Sequence, residues 1–148
     1  MKIEIVSISD SDKHFVSAIA EYVKRLGADV SLVDLKPVKH GTREQIIAAE
    51  TQLIMDQIAK KPVATYLLSK EWKPVTTEEF GALIPKHDHH VRFVIWWPYG
   101  LEEWLLLPLI QGRLGFGQIT MPHGLAKLVL IEQVYRAQQI MQGRSYHY

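Results

Sequence analysis

The stretch Val63–Trp96, which reads VATYLLSKEWKPVTTEEFGALIPKHDHHVRFVIW, contains the strand–helix–strand unit from which the fold follows. Its first and last segments, Val63–Leu68 and Val91–Trp96, are extended runs rich in β-branched and aromatic residues, and they predict strands. Between them, the spacing of apolar residues over Thr76–Ile84 predicts a short helix. This order is typical of parallel strands joined by a helix.

The same alternation continues toward both ends of the chain. It predicts strands at Lys2–Ser9, Asp29–Leu35 and Phe116–Met121, and helices that begin at Asp12, Thr42 and Leu125. We expect Gly27 to end the first helix and Pro108 to break the apolar segment Leu101–Ile110. The predicted fold class is α/β: a single domain of residues 1–148, with a mainly parallel sheet and helices on both faces.

Composition favours one soluble globular domain. The chain has 148 residues, 47% of them hydrophobic and 22% charged, a size that suits a single core. It contains no cysteine, which excludes disulfides, thiolate metal sites and a cysteine nucleophile. The apolar run Trp104–Ile110 is far shorter than the roughly 20 residues of a membrane span, and no signal-peptide core follows Met1. We therefore expect a cytoplasmic protein.

Charge is unevenly distributed along the chain. The net charge is +1, but residues 113–148 carry +3 and residues 1–112 carry −2. A basic C-terminal segment is a weak indication of a polyanionic partner, and ordinary solvated surface charge explains it equally well.

Ligands of parallel α/β sheets bind beyond the carboxyl ends of the strands. That edge is expected to carry three loops, at residues 69–75, 97–101 and 122–124. Three of the four tryptophans, Trp72, Trp96 and Trp97, lie in or beside these loops. The glycines form neither a dinucleotide-binding nor a phosphate-loop fingerprint, which disfavours Rossmann and P-loop nucleotide enzymes.

Three other features have a structural explanation beside a functional one. The run His87–His90 could hold a metal, but adjacent side chains diverge, so a solvated turn is favoured. Glu132 and Arg136 stand four residues apart, either as a surface ion pair or with Arg136 binding an anion. The tail, residues 143–148, is expected to fray, although its tyrosines and histidine could stack on a base.

Several motifs resemble those of one family. The C-terminal half carries Thr120–His123, Leu130–Ala137 and Tyr146-His147, and the N-terminal half carries Glu21–Leu26 and the segment from Lys73 to Phe80. They are similar to motifs of the RlmH family, SPOUT-class methyltransferases that modify N3 of a pseudouridine in large-subunit ribosomal RNA. The resemblance implies a C-terminal trefoil knot, S-adenosyl-L-methionine as cofactor, and a homodimer whose active sites use both subunits.

The resemblance also implies which residues bind cofactor and RNA. Cofactor contacts are expected at Leu68, Trp96, Trp97, Gly100, Phe116, Gly117, Gln118, Ile119, Thr120 and Met121. RNA contacts are expected at His123, Lys127 and Arg144. The expected partners are ribosomal RNA or the large ribosomal subunit and a second copy of the chain, with no metal, membrane or DNA.

Catalytic positions of the family match three residues near the C-terminus. Loss of the N3 proton leaves negative charge on the base, which Arg136 would stabilise. Tyr146 would orient or stack the base. His147 would accept the proton, because an imidazole can be neutral near pH 7.

Three tryptophans depart from the family pattern. Trp96 and Trp97 stand where the family has a glycine pair, and Trp72 stands where it has a glycine. Their rings would either fill the cofactor space or line it, with one ring stacked on adenine. Two functions therefore stay open: a methyltransferase, or a catalytically silent homodimer that binds RNA or the ribosome. A histidine-based metal hydrolase, resting on His87–His90 alone, is a third.

Overall fold

The computed structural model describes residues 1–9, 13–96 and 100–146. Within these ranges, five strands form one all-parallel sheet in the order β2-β1-β4-β3-β5. The strands are β1 (Lys2–Ile8), β2 (Val30–Leu35), β3 (Ala64–Leu68), β4 (His90–Ile95) and β5 (Gly112–Leu114). The helices are α1 (Val16–Leu26), α2 (Arg43–Ala59), α3 (Thr77–Lys86), α4 (Glu103–Leu106) and α5 (His123–Met141). Among these described helices, none is both long and apolar enough to cross a membrane.

Helices cover both faces of the sheet, as predicted. On one face α1, α3 and α5 pack against β1, β3 and β4, and the ring of Phe80 stacks on that of Phe93 with centroids 5.1 Å apart. On the other face Ile54 of α2 and Leu106 of α4 join a second apolar cluster with Val94. Successive side chains of a strand point to opposite faces. The central strand β4 is therefore buried on both sides, and the two clusters together hold the sheet.

Local sequence signals set most helix boundaries. The Thr42 hydroxyl accepts a hydrogen bond from the backbone N–H of Gln45, and the Thr76 hydroxyl accepts one from that of Glu79. In return, the Gln45 and Glu79 side chains accept hydrogen bonds from the backbone N–H groups of the two threonines. Such caps typically contribute about 1 kcal/mol. Gly27 ends α1 with φ +61°, as predicted. Pro108 limits α4 to one turn, which a 3₁₀ turn at Leu107–Leu109 follows.

The prediction of a strand at Phe116–Met121 was wrong. The last strand, β5, ends at Leu114, and residues 116–121 form an irregular segment. Gly115 still bridges to Pro74, but Gly117 has φ +106°, which takes the backbone out of the extended region. The apolar residues that suggested a strand belong to a segment beyond the sheet.

The predictions for the start of the first helix and for the C-terminal tail also need correction. The first helix was expected to begin at Asp12, which lies outside the described residues, and the structure has α1 beginning at Val16. The tail was expected to fray, but its described part is held to α5. The N–H of Arg144 donates to the carbonyl of Gln139 at 2.9 Å, and Tyr146 packs against helix side chains.

Candidate active site

A cavity of about 590 Å³ opens at the carboxyl edge of the sheet. The last residues of three neighbouring strands, Leu68, Ile95 and Leu114, line it, because the carboxyl ends of parallel strands meet at one edge. His123 and Ala126 of α5 form another part of the wall. Small-molecule sites typically measure about 300–1,000 Å³. The edge predicted from strand order therefore contains a cavity of suitable size.

Most of the predicted cofactor contacts line this cavity. Those that do are Leu68, Trp96, Gly100, Phe116, Gly117, Ile119, Thr120 and Met121. Gln118 is exposed and lies outside the lining formed by the described residues. Trp97 is not among the described residues. Stretches that are far apart in the sequence thus meet at one cavity.

Trp96 forms part of the cavity wall. It follows β4 directly, is half-buried, and packs against the apolar cluster between the sheet and α2. Gly100 has φ +93°, and a Cβ built on it would lie 3.7 Å from Trp96 Nε1, so the chain passes close to the indole. The cavity of about 590 Å³ is the space that remains with this ring in place.

Trp72 lies at the rim, outside the part of the lining that the described residues form. The guanidinium carbon of Arg113 lies 4.0 Å from the centroid of its ring. Arg113 Nη1 in turn donates to Glu103 Oε2 at 2.8 Å. Trp72 keeps 43% of its surface exposed. Trp72 and Trp96 are the two described tryptophans among the three that depart from the family pattern. Both therefore leave the cavity open.

Backbone hydrogen bonds fix the loop that carries Trp72. The N–H of Ser69 donates to the carbonyl of Leu114 at 2.8 Å, and that of Val75 donates to the carbonyl of Gly115 at 3.1 Å. A Cβ on Gly115 would lie 2.3 Å from the carbonyl oxygen of Trp72, so only glycine allows this close approach. The loop and the residues after β5 therefore form one unit beside the cavity.

A partly buried polar network lies where α5 begins. Lys127 is 1% exposed, and its Nζ donates to Asp34 Oδ1 at 2.6 Å, while Ser7 Oγ donates to the same oxygen at 2.9 Å. Burial alone would raise the pKa of Asp34, but the hydrogen bonds from Lys127 and Ser7 and the ammonium charge outweigh it, and the pKa is lowered. The network joins the ends of β1 and β2 to α5. It places Lys127 inside the subunit, which does not favour direct contact with RNA.

The predicted catalytic residues Arg136 and Tyr146 lie together near the other end of α5. Arg136 Nη2 donates to Glu132 Oε1 at 2.8 Å, so the two residues form the ion pair that was one of the two alternatives for their spacing, although both side chains are largely buried. The guanidinium carbon of Arg136 lies 4.7 Å from the centroid of the Tyr146 ring. The Tyr146 hydroxyl donates to the same carboxylate oxygen at 3.3 Å. Glu132 thus orients both residues.

Aromatic contacts hold Tyr146 against α1 and α5. Its ring meets the ring of Tyr135 edge-on, with centroids 4.9 Å apart, and its hydroxyl lies 3.4 Å from that of Tyr22. The hydrogen bond with Tyr22, burial and the Glu132 charge raise the pKa of Tyr146 far above its ordinary value. A tyrosine of ordinary pKa, about 10, is already protonated at neutral pH, so the shift moves ionisation further into the alkaline range, and the hydroxyl acts as a hydrogen-bond donor. His147 lies outside the described residues.

The length of α5 separates this cluster from the cavity. His123 and Arg136 are thirteen residues apart on the helix, which corresponds to about 20 Å along its axis. Arg144 follows the same far end and is exposed. Within one chain, the structure therefore does not bring Arg136 and Tyr146, the predicted catalytic residues that it describes, to the described cofactor contacts.

The histidine run forms a tight turn before β4, at the edge of the sheet opposite the cavity. Asp88 and His89 have φ values of 52° and 60°, and the Tyr66 hydroxyl lies 2.8 Å from His87 Nε2. Nowhere in ranges 1–9, 13–96 and 100–146 do three histidine, aspartate or glutamate side chains group to hold a metal. The metal-hydrolase alternative gains no support from this geometry.

Sequence reasoning missed polar residues that line or support the cavity, namely Asp34, Arg43, Glu103 and Arg113. The pair of Glu103 and Arg113 spans ten residues between α4 and β5, a spacing that matches neither helix nor strand periodicity. Asp34 offered a usable signal, because it lies next to the carboxyl end of a predicted strand.

Comparison with known proteins identifies the family. A family model described as "Predicted SPOUT methyltransferase" matches residues 1–147. Similar proteins include Ribosomal RNA large subunit methyltransferase H of Listeria monocytogenes serotype 4a, 36% identical over 159 residues. Proteins of the same name from Streptococcus suis and Mycoplasmopsis pulmonis are 34% identical over 160 residues and 30% identical over 151. Each alignment covers 99% of this chain and 99% of the relative. The chain therefore belongs to the SPOUT methyltransferase family.

Proposed function

We propose that this chain, as one domain of residues 1–148, is a cytoplasmic methyltransferase that uses S-adenosyl-L-methionine to modify N3 of a pseudouridine in large-subunit ribosomal RNA. The observation that carries the proposal is the open cavity of about 590 Å³, with Trp96 in its wall. The name shared by the relatives supports the RNA substrate. A cavity filled by indole rings would instead favour the catalytically silent alternative.

The cavity lining suits a nucleoside joined to a charged chain. Leu68, Trp96 and Phe116 offer apolar faces against which an adenine ring can pack. Glu103 and Thr120 offer a carboxylate and a hydroxyl for polar groups. S-adenosyl-L-methionine supplies, when bound, a methyl group on a positively charged sulfur that a nucleophile can attack. The main task left to the protein is to align the base nitrogen with that methyl group.

In this proposal the catalytic groups reach the cavity from a second copy of the chain. Arg136 and Tyr146 lie about 20 Å along α5 from the cavity of their own chain, too far to contact a base held there. A two-fold dimer that pairs the α5 helices antiparallel would put the cluster of each chain beside the cavity of the other. The separation supports the homodimer with composite sites that the family resemblance implies. The trefoil knot stays a prediction.

The chemistry assigns a role to each group. The N3–H proton leaves the base as the N3–methyl bond forms, and negative charge develops on the base. Arg136 of the partner subunit, oriented by Glu132, would stabilise that charge. Tyr146 of the partner subunit, whose hydroxyl donates to Glu132, would orient or stack the base. His147 is the proposed proton acceptor.

The proposed RNA contacts are those with access to solvent or to the cavity. Arg144 is exposed after α5, and His123 borders the cavity. Lys127, buried against Asp34, is proposed instead to position the start of α5. RNA would therefore meet one chain's cavity and the other chain's Arg144.

Calorimetric titration with S-adenosyl-L-methionine, followed by a methyl-transfer assay, tests the proposal. We expect binding heat, a rise in melting temperature, and transfer of labelled methyl to large ribosomal subunits from cells that lack the enzyme. Mass spectrometry of digested RNA should place the methyl group on a pseudouridine. Absence of both heat and thermal shift at millimolar cofactor would contradict the proposal and favour the silent homodimer.

A further inference from the structure

We propose that the Trp72 indole, backed by the Arg113 guanidinium, is a stacking platform for an unpaired base of the substrate RNA. The inference rests on the proposed RNA substrate and adds a residue that positions RNA rather than cofactor. Trp72 lies at the rim of the cavity and outside the lining formed by the described residues. A base stacked there would flank the base being modified.

The indole is held in a fixed orientation. The guanidinium carbon of Arg113 lies 4.0 Å from the ring centroid, and Glu103 holds that guanidinium through a 2.8 Å hydrogen bond. The backbone of Trp72 is fixed as well, because its carbonyl oxygen packs against Gly115. A ring whose orientation is set in advance loses little conformational entropy when a ligand stacks on it.

The indole also keeps a surface available. Although Arg113 covers one face, 43% of Trp72 is exposed, so we infer that its other face can receive a base. Aromatic side chains stack on any base, since every base has a π-face. RNA recognition commonly uses such stacking on bases that are splayed out of a helix.

Charge around the ring suits a polyanion that enters the cavity. Lys70 and Lys73 are exposed on either side of Trp72 and outnumber Glu71 in the loop. Lys70 Nζ donates to Thr120 Oγ1 at 3.3 Å, and both residues line the cavity, so the platform adjoins the site. Lysines attract RNA phosphates without regard to sequence.

Exposure of an indole does not by itself carry the inference. Trp104 is more exposed, at 69%, but it lies on α4 in a stretch that has no lysine or arginine between Gly100 and Gly112. Trp104 therefore provides a matched control for the loss of a surface indole.

The test compares Trp72→Ala, Trp72→Leu and Trp72→Phe with Trp104→Ala in the full-length protein. The measurements are affinity for large ribosomal subunits by co-sedimentation, affinity for S-adenosyl-L-methionine by calorimetry, kcat and KM, and mass by light scattering. We expect Trp72→Ala and Trp72→Leu to weaken ribosome binding and raise KM about tenfold, because one stacking contact is lost. Trp72→Phe should recover most of the affinity. Cofactor affinity, kcat and Trp104→Ala should stay within twofold of wild type.

Each outcome bears on one proposal or the other. Wild-type ribosome affinity in Trp72→Ala and Trp72→Leu would overturn the stacking inference, as would a loss of dimer mass that accounts for weaker binding. The Leu variant keeps the inference testable if the Ala variant does not fold. Ribosome binding that depends on Trp72 without any methyl transfer by wild type would overturn the proposed function and leave the stacking inference standing. A wild-type chain that binds no ribosomal subunit would overturn both.

Discussion

The two ends of α5 differ in what surrounds their polar residues. At the N-terminal end, His123 borders the cavity and Lys127 is buried against Asp34, so this end fixes the helix to the sheet. At the C-terminal end, Arg136 and Tyr146 converge on Glu132, and neither residue lines the cavity at the carboxyl edge of the sheet. Within the described residues of one chain, the cavity and the pair of Arg136 and Tyr146 stand apart, which is the arrangement that the proposed composite dimer site requires.

Heterodimers of two different variants test whether the two ends of α5 act together across subunits. This test has the largest expected effect. Arg136→Ala should lower kcat about 100- to 1,000-fold, because stabilisation of the charge that develops in the transition state is lost. Ala126→Phe should fill the cavity and abolish cofactor binding. If each site combines the cavity of one chain with Arg136 of the other, a heterodimer of the two variants has one site with both an intact cavity and an intact Arg136. Its methyl-transfer activity should therefore return to about half that of wild type.

The control is a heterodimer of Arg136→Ala with the doubly substituted chain, which has no intact site under either arrangement. Both heterodimers are made by co-expression with two different affinity tags. Activity near zero in the test heterodimer would show that each chain uses its own Arg136, and the composite site would have to be abandoned.

A change at Gly115 should disrupt the cavity while leaving the C-terminal cluster intact. Gly115→Ala would put a Cβ 2.3 Å from the Trp72 carbonyl oxygen, so the 69–75 loop must move away from β5. We expect a loss of about 3 kcal/mol in the free energy of unfolding. Weaker binding of S-adenosyl-L-methionine should accompany it. Denaturant unfolding and calorimetry measure the two effects.

Gly81 provides the matched control for this change. It lies within α3, and a Cβ there would meet only Ala137 Cβ at an ordinary 3.9 Å. Gly81→Ala should therefore be neutral or stabilising, by up to about 1 kcal/mol. Equal effects of the two substitutions would show that the contact between Trp72 and Gly115 is not what holds the loop.

The ion pair at the N-terminal end of α5 should respond asymmetrically to substitution. Asp34→Asn removes the carboxylate from a lysine that is 1% exposed, whereas Lys127→Met leaves a carboxylate whose side chain is 51% exposed to water. We expect Asp34→Asn to cost about 2 kcal/mol of stability and Lys127→Met to cost less. The double variant should recover part of the loss. Equal costs for the two single variants would show that burial of the ammonium does not dominate.

The same pair predicts a pH dependence. The pKa of Asp34 is lower in the folded state than its ordinary value of about 3.9 in the unfolded chain. Its stabilising contribution is therefore fully present above about pH 4 and is lost as pH falls through the folded pKa. The stability difference between wild type and Asp34→Asn, measured by urea unfolding, should shrink in acid and stay constant between pH 6 and 8. A difference that is independent of pH down to acid would contradict the assignment.

The fold was largely predictable because its signals are local. Capping residues such as Thr42 and Thr76, and a terminating glycine at Gly27, act within a few residues. The strand β5 was not predictable, since Gly112–Leu114 has no strand pattern and owes its conformation to pairing with β3. The apolar pattern of Phe116–Met121 was misinterpreted because several of its residues face the cavity instead of the core.

Only part of the candidate site was predictable from the sequence, and the ion-pair partners of its basic residues show why. Summed over the sequence, the C-terminal segment is basic, but three of its four basic side chains form ion pairs within the chain. Of these three ion pairs, only that of Arg136 with Glu132 joins residues four apart on a helix, a spacing from which an ion pair can be predicted. Lys127 finds its partner 93 residues away, at Asp34, and no local pattern contains that information. Motif resemblance indicated candidate residues, and tertiary structure was needed to show which of them meet.

The contact between Tyr22 and Tyr146 should have the smallest effect and refines the role of the C-terminal end. The Tyr22 hydroxyl lies 3.4 Å from that of Tyr146, and this contact raises the pKa of Tyr146 because it stabilises the protonated phenol. Tyr22→Phe should therefore cost only about 0.5 kcal/mol of stability, yet lower the pKa of Tyr146 toward its ordinary value of about 10. An ultraviolet absorbance titration of the tyrosines should show one phenolate forming at lower pH than in wild type. The control is Tyr135→Phe, which keeps the ring contact with Tyr146 and leaves the Tyr22 hydroxyl in place. If no phenolate forms at lower pH in Tyr22→Phe, Glu132 and burial alone raise the pKa of Tyr146, and α1 has no part in that shift.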